Sequence, residues 1–273
     1  MRVLVDDIHL NYELSGSGTP VVLTHGLGSN LHYWDDAAQA LSAHHQVLRW
    51  DVRGFGESDR PGGPYTPRIL ARDLASLLGA LDLPPAHLVG ISMGGVINQR
   101  LALDYRDRAR SLALISTSSE VGPQATANWQ RLADRVERDG FDSRSADASR
   151  SFSSTFAARH PEVIARMDAE TLRNDPIAYA AAARAMSDYH WTAELRAVDI
   201  PVLILQGLDD RLTPPGGAVK MNRALPRSRL VMVPGAGHNL PLEQPMALHM
   251  TLLAFFAGVE LTNCASQPGL VQN

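Results

Sequence analysis

Short apolar runs alternate with stretches of helical spacing along most of this chain, and that alternation limits the fold more than any other feature. Residues 20–24, with Val21-Val22-Leu23 at their centre, 46–51, 87–91, 111–115, 201–206 and 230–233 each read as a short, buried strand. Between them lie probable helices over 37–43, 92–105, 216–225 and 242–256, and one over 68–81 that carries Leu70, Leu74, Leu77, Leu78 and Leu81. Strand, helix and strand in that order require right-handed crossovers, and hence an α/β fold with a mostly parallel central sheet flanked by helices. Two further strands, 3–5 and 8–14, come first, joined by a turn at Asp6-Asp7.

The alternation stops between 119 and 194, where only helical segments rich in Ala, Arg and Asp are legible. The expected organisation is a core of residues 1–118, a helical cap of 119–195 inserted after the sixth strand of the fold, a second core part of 196–261 and a flexible tail of 262–273. With 273 residues, 45% of them hydrophobic, the chain is long enough to bury one large core. The formal charge of −4 includes no basic stripe, so nucleic acid is not an expected partner. Cys264 is the single cysteine, which rules out an internal disulfide and a Cys-rich metal site; it reads as an ordinary thiol. The first residues lack the pattern of a signal peptide, and the longest apolar run, 252–259, is short of the ~20 residues of a membrane span, so a cytoplasmic protein is expected.

Chemistry concentrates at Gly90-Ile91-Ser92-Met93-Gly94, where the strand 87–91 meets the following helix. A nucleophile on so sharp a turn needs small residues two places before and two after it, and glycine fills both. Ser92 needs a base, because a neutral hydroxyl is a poor nucleophile. His238, in Gly235-Ala236-Gly237-His238, follows the strand 230–233 and so reaches the same sheet edge. His44-His45 precede a strand and belong to the opposite edge, in solvent; His9, His32, His87, His160, His190 and His249 read as surface residues of strands, loops or helices. Asp209 and Asp210 both follow the strand 201–206, and either suits the orienting acid. His25-Gly26-Leu27-Gly28 follows the strand 20–24, so the Leu27 and Met93 N–H groups form a candidate oxyanion hole.

Taken together these motifs resemble the α/β-hydrolase family, over roughly residues 3–258, and the order nucleophile, acid, histidine is that family's order. Asp51-Val52-Arg53-Gly54-Phe55-Gly56-Glu57-Ser58 is similar to the family's loop after its fourth strand. The family's acid stands three residues after a glycine and four before a proline; Gly207 and Pro214 put Asp210 in that place. The resemblance also implies the helical cap over 119–194.

Serine at 92 sets the chain apart from the epoxide hydrolases and haloalkane dehalogenases of this fold, which carry aspartate there, although Tyr179 and Tyr189 resemble the epoxide-polarising tyrosines of the former. Within acyl chemistry, residues 26–35, the Ile91-Ser92-Met93-Gly94-Gly95 elbow and residues 180–195 resemble 3-oxoadipate enol-lactonases and small carboxylesterases. The implied activity is hydrolysis of an ester or lactone through an acyl-enzyme, with no metal or organic cofactor. Perhydrolase, acyltransferase or C–C hydrolase activity is the alternative within the fold, and a ligand receptor the alternative outside enzymes. A small-molecule ester or lactone is the expected partner. Trp129, Trp191, Met186 and Phe152 are the bulky apolar candidates for a substrate pocket. The insertion holds nine arginines against twelve carboxylates, so an anionic substrate would depend on one inward arginine rather than on a basic lid.

Overall fold

The structure is a computed structural model that describes residues 1–141 and 148–265. The described residues form one sheet of eight strands: β1 (Arg2–Val5), β2 (Ile8–Ser15), β3 (Pro20–Thr24), β4 (Gln46–Trp50), β5 (Ala86–Ile91), β6 (Ala109–Ile115), β7 (Val202–Gly207) and β8 (Ser228–Val233). Their spatial order is β1-β2-β4-β3-β5-β6-β7-β8. The β1/β2 and β2/β4 pairs are antiparallel and all the others parallel. β3, β5 and β7 are buried along their whole length, which is why they read as continuous apolar runs rather than as alternations.

Helices cover both faces. On one side lie α2 (Pro67–Ala80) and α3 (Met93–Asp104), whose Leu70, Leu74, Leu77, Ile97 and Leu101 enter a core with Val22, Leu48, Leu88 and Leu112. Thr66 caps α2 by accepting from the Ile69 N–H at 3.2 Å, and Pro67 fits the first turn, so the helix begins where the spacing places it. On the other side, α1 (Asp35–Leu41) and α10 (Pro245–Ala265) pack Leu41, Leu248, Leu252 and Phe256 onto Val21, Val89 and Leu203. α8 (Pro215–Ala224) lies beside β7 and β8.

The last helix departs from expectation at both ends. The chain first makes a short α9 (Leu240–Glu243), breaks before Pro245, and then runs unbroken to Ala265. Proline explains the break, because its ring and missing N–H cannot continue a helix. Residues 262–265, expected in a tail, continue α10; residues 266–273 and the Cys264 side chain lie outside the described residues. The stretch Pro245–Thr262 is long and apolar enough to cross a bilayer by length and composition, which the run 252–259 alone did not suggest. Its Leu248, Leu252 and Phe256 are buried against this protein's own core.

α10 also overturns the reading of three histidines as surface residues. His45, His87 and His249 are buried. Phe256 stacks on the His87 ring at 4.4 Å and meets the His45 ring edge-on at 5.3 Å, so a residue distant in sequence closes over both. His87 Nδ1 lies 2.7 Å from Ser111 Oγ, while its Nε2 has no hydrogen-bond partner among the described residues and stands 3.7 Å from Glu260. Burial, helped by nearby His45 and Arg110 and opposed by Glu260, pushes the His87 imidazole down to about 4. His45 is lowered too, chiefly by burial. The unfolded chain, with an ordinary imidazole near 6.5, therefore binds protons that the folded chain refuses. Stability is complete above about 6.5 and falls as the pH drops toward 4. In urea unfolding at pH 4.5 and 7.5, His87→Gln should recover ~2–3 kcal/mol of the stability that the parent loses. A parent and variant with equal losses would show that His87 does not carry this proton linkage.

Between β6 and β7 the chain forms α4 (Pro123–Asp139), a 3-10 turn (Ala148–Ser151), α5 (Ser154–Arg159), α6 (Pro161–Leu172) and α7 (Pro176–Ala185). α4 and α7 pack on each other, and Arg184 of α7 reaches both Asp134 and Glu137 of α4. The entering and leaving chains run side by side: Glu120 pairs with His190, Val121 N–H donates to Tyr189 O at 3.0 Å, and Trp191 N–H to Ser119 O at 3.0 Å.

Candidate active site

Ser92 stands between β5 and α3 at φ +54°, a conformation that a serine adopts only where its surroundings impose it. The surroundings are visible on both sides. A Cβ at residue 90 would lie 2.5 Å from the Gly94 carbonyl, and one at residue 94 would lie 2.2 Å from Thr24 O. Only glycine allows β3, β5 and α3 to approach so closely, and the closeness forces the serine outward. Ser92 N–H donates to Ile115 O at 3.0 Å, and its carbonyl accepts from Val96 N–H at 3.1 Å and Thr117 Oγ1 at 2.9 Å. Sequence reasoning had not singled out Thr117.

Asp210 follows β7 and His238 follows β8, and the two meet at 2.9 Å between Oδ2 and Nδ1. Asp210 is buried and Asp209 exposed, which separates the two aspartates that the residues alone left equivalent. The Asp210 carboxylate accepts from the Leu212 and Thr213 N–H groups at 2.9 Å each, from Thr213 Oγ1 at 2.6 Å and from Gln206 Nε2 at 3.0 Å. Burial alone would raise this carboxyl, but the His238 charge and the hydrogen bonds from His238 and Thr213 hold it below the usual carboxylate range. A carboxylate only accepts, so the His238 proton sits on Nδ1 and Nε2 is left as a base. Thr213 and Gln206 are further residues that sequence reasoning missed; their one signal is proximity in the chain to Asp210.

The loop after β3 brings Leu27 to the same place. Buried His25 fixes that loop from beneath, with Nδ1 2.7 Å from Gly26 O and Nε2 accepting from Val52 N–H at 3.0 Å. Among the described residues, neither the Leu27 N–H nor the Met93 N–H has an acceptor within the chain. Both residues border a cavity that also holds Ser92.

Two cavities meet at Ser92. One, of about 410 Å³, is walled by Met93, Val96, Val121, Met186 and Tyr189. The other, of about 500 Å³, takes in His238, Tyr33, Arg150, Tyr179 and Arg211. Ser92, Leu27, Trp129 and Leu212 border both. The guanidinium groups of Arg150 and Arg211 have no acceptor among the described residues. Tyr179 and Tyr189, both noticed in the sequence, fall on different sides; burial pushes the Tyr179 phenol up to about 12.

Of the four apolar candidates, Trp129 and Met186 line these cavities and Trp191 and Phe152 do not. Trp191 is turned into the core, where its Nε1 donates to Gln99 Oε1 at 3.2 Å and its ring lies under the Arg100 guanidinium at 5.6 Å; it fastens the insertion to α3. Phe152 stacks on Phe156 at 5.2 Å, with its backbone against Gly237. Its neighbour Ser151 accepts through one carbonyl from the His238 N–H at 2.9 Å and the Asn239 N–H at 3.1 Å. Glu243 ties Gly237 N–H at 2.8 Å to Ser153 N–H at 3.0 Å. The insertion thus braces the histidine loop directly.

A family model described as alpha/beta hydrolase fold matches residues 19–245. The chain is 29% identical to 3-oxoadipate enol-lactonase 2 of Acinetobacter baylyi over 246 residues, covering 89% of this chain and 91% of that protein. Among solved structures, a thermophilic esterase from Thermogutta terrifontis superposes with a TM-score of 0.89 at 33% identity, covering 95% of this chain and 98% of that one. An enol-lactonase from Burkholderia xenovorans also gives 0.89, at 29% identity, covering 94% and 100%. The chain belongs to the alpha/beta hydrolase fold family. It is an enzyme of the hydrolase class, as its esterase and lactonase relatives are.

Proposed function

We propose that this hydrolase cleaves a carboxylic ester or lactone through an acyl-enzyme on Ser92. The observation that carries the reading is the buried Asp210–His238 pair, at 2.9 Å, opening on a cavity shared with Ser92. His238 Nε2 takes the Ser92 proton as Oγ attacks the carbonyl carbon, and Asp210 stabilises the imidazolium. The oxyanion then forms beside the two unused donors, Leu27 N–H and Met93 N–H. On collapse the leaving oxygen takes the proton from His238. Water, deprotonated by the same imidazole, then releases Ser92.

The proton donor faces only one of the two cavities, so the leaving alcohol or enol belongs in the larger one, beside His238. The acyl chain belongs in the smaller, beside Met93 and Met186. Arg150 and Arg211 on the leaving-group side favour a substrate with a carboxylate there, in line with the likeness to enol-lactonases. The alkyl esters to which the esterase likeness points need no such cation. The substrate is a small molecule, and the setting we propose is the cytoplasm.

A panel of aryl esters and lactones, of graded acyl length and with or without a carboxylate on the leaving group, tests this reading. Saturable turnover of at least one series is expected; tight binding with no turnover would make the chain a receptor instead. On the same panel, Trp129→Ala should shift the preferred acyl length, each methylene in an apolar pocket being worth ~1–3 kcal/mol. Trp191→Ala should instead lower the melting temperature and leave the ratios between esters as they were, by loss of its packing on α3. Reversed results would mean that the two tryptophans have been assigned to the wrong surroundings.

A further inference from the structure

The oxyanion loop and the helical insertion meet through side chains that no step above uses. α6 ends at Leu172 in a tightened turn, where Arg173 N–H reaches Glu170 O at 3.2 Å and Asn174 N–H reaches Thr171 O at 3.2 Å. One amide hydrogen of Asn174 Nδ2 adds a second donor to the same two carbonyls, 3.1 Å from Glu170 O and 3.0 Å from Thr171 O. Its other hydrogen reaches out of the insertion to Gly28 O, 2.9 Å away. A second strut runs alongside: Asn30 Nδ2 donates to Glu170 Oε2 at 2.9 Å.

Gly28 stands at φ +78°, and a Cβ there would lie 3.1 Å from the Tyr179 ring and 3.5 Å from Thr171 Oγ1. The loop, with no side chain of its own at Gly28, is therefore pressed against the Thr171 side chain of α6 and the Tyr179 ring of α7. Ser29 N–H reaches Gly26 O at 3.4 Å, so residues 26–29 form one turn with Leu27 and Gly28 at its centre. His25 holds the start of that turn through Gly26 O, and Asn174 holds its far side through Gly28 O. Leu27, with its unused N–H, lies between the two anchors.

We propose that Asn174 is a positioning residue for the reaction. By tying Gly28 O to the end of α6, it keeps the Leu27 N–H aimed at the place where the oxyanion develops. The insertion then takes part in the chemistry as well as in the choice of substrate. An oxyanion donor is effective because it is oriented before the charge appears; a turn free to rotate must reorganise in every cycle. The proposal rests on the Ser92 reading given above.

The test compares the parent enzyme with Asn174→Ala and with Asn174→Asp, which keeps the shape and removes the donor. Three quantities are measured: kcat and KM over the acyl series, inhibition by a trifluoromethyl ketone that forms a hemiketal with Ser92, and inhibition by the carboxylic acid product. The expected result is a fall in kcat of ~10-fold or more, short of the ~10²–10³ that loss of a whole donor costs. The fall should be the same for every acyl length, with KM and product inhibition little changed. Ketone affinity should weaken by the same factor as kcat/KM. A residue that only caps α6 would lower the melting temperature and leave the ketone-to-product affinity ratio alone. An undiminished kcat, or ketone and product affinities that fall together, would overturn the proposal. If a fluorophosphonate leaves Ser92 of the parent unlabelled, both readings fall. If Ser92 is labelled and the Asn174 variants keep full kcat, this one alone falls.

Discussion

Ser92→Ala should lower kcat by ~10⁶-fold on the best ester of the panel while the protein keeps its fold. The expectation of an intact fold has a structural reason. What fixes the elbow is the close approach of Gly90 and Gly94 to neighbouring backbone, and the bonds made by the residue 92 N–H and carbonyl, none of which involves the hydroxyl. Alanine removes the nucleophile and leaves those contacts in place. The residual rate should come from binding and the oxyanion donors alone. A fluorophosphonate should label the parent at Ser92 and nowhere else, checked by peptide mass, and should not label the variant. An alanine variant with ordinary turnover would end the acyl-enzyme reading.

Asp210→Asn should cost ~10⁴-fold in kcat, and Asp209→Asn should have little effect. The carboxylate at 210 is the common acceptor of His238 Nδ1, two backbone N–H groups, Thr213 Oγ1 and Gln206 Nε2. An amide brings an NH₂ group into that set of donors. To avoid donor facing donor, the imidazole must move its proton to Nε2 or turn away, and either change removes the base from Ser92. Asp209 is exposed and faces water, so its amide meets no such conflict. Equal losses in the two variants would mean that the loop after β7 is held differently.

The fold was largely legible because its central strands are buried on both faces and bounded by turn residues. β3 begins and ends where its apolar run does, and β5, β6 and β7 differ from expectation by a residue or two at their ends. The positions of Ser92, Asp210, His238 and Leu27 were legible for a related reason: each follows a strand, and parallel strands bring those ends to one edge. What sequence could not supply was what each side chain faces. Trp191 and Phe152 have the same apolar character as Trp129 and Met186, yet one pair packs inward and the other borders the cavities. The burial of His45 and His87 depends on Phe256, well over a hundred residues further along, and no local pattern records that meeting. Asn174 carries no motif at all; its place is set by the end of α6 and the turn after β3 arriving together.

On the acyl-enzyme pathway proposed for Ser92, the two cavities put the two halves of a substrate in separate rooms with one shared doorway. The first product can therefore depart from the His238 side while its former partner stays fastened to the serine on the other. During that interval the vacated space, about 500 Å³, is much larger than a single water needs. Whichever nucleophile occupies it when the imidazole is ready decides the fate of the acyl group. Water gives a free acid, an alcohol gives a new ester, and peroxide gives a peracid. Under that proposal hydrolysis and transfer become a matter of occupancy in one compartment, and substitutions there should alter the ratio of products without touching the residues that make and break the bond.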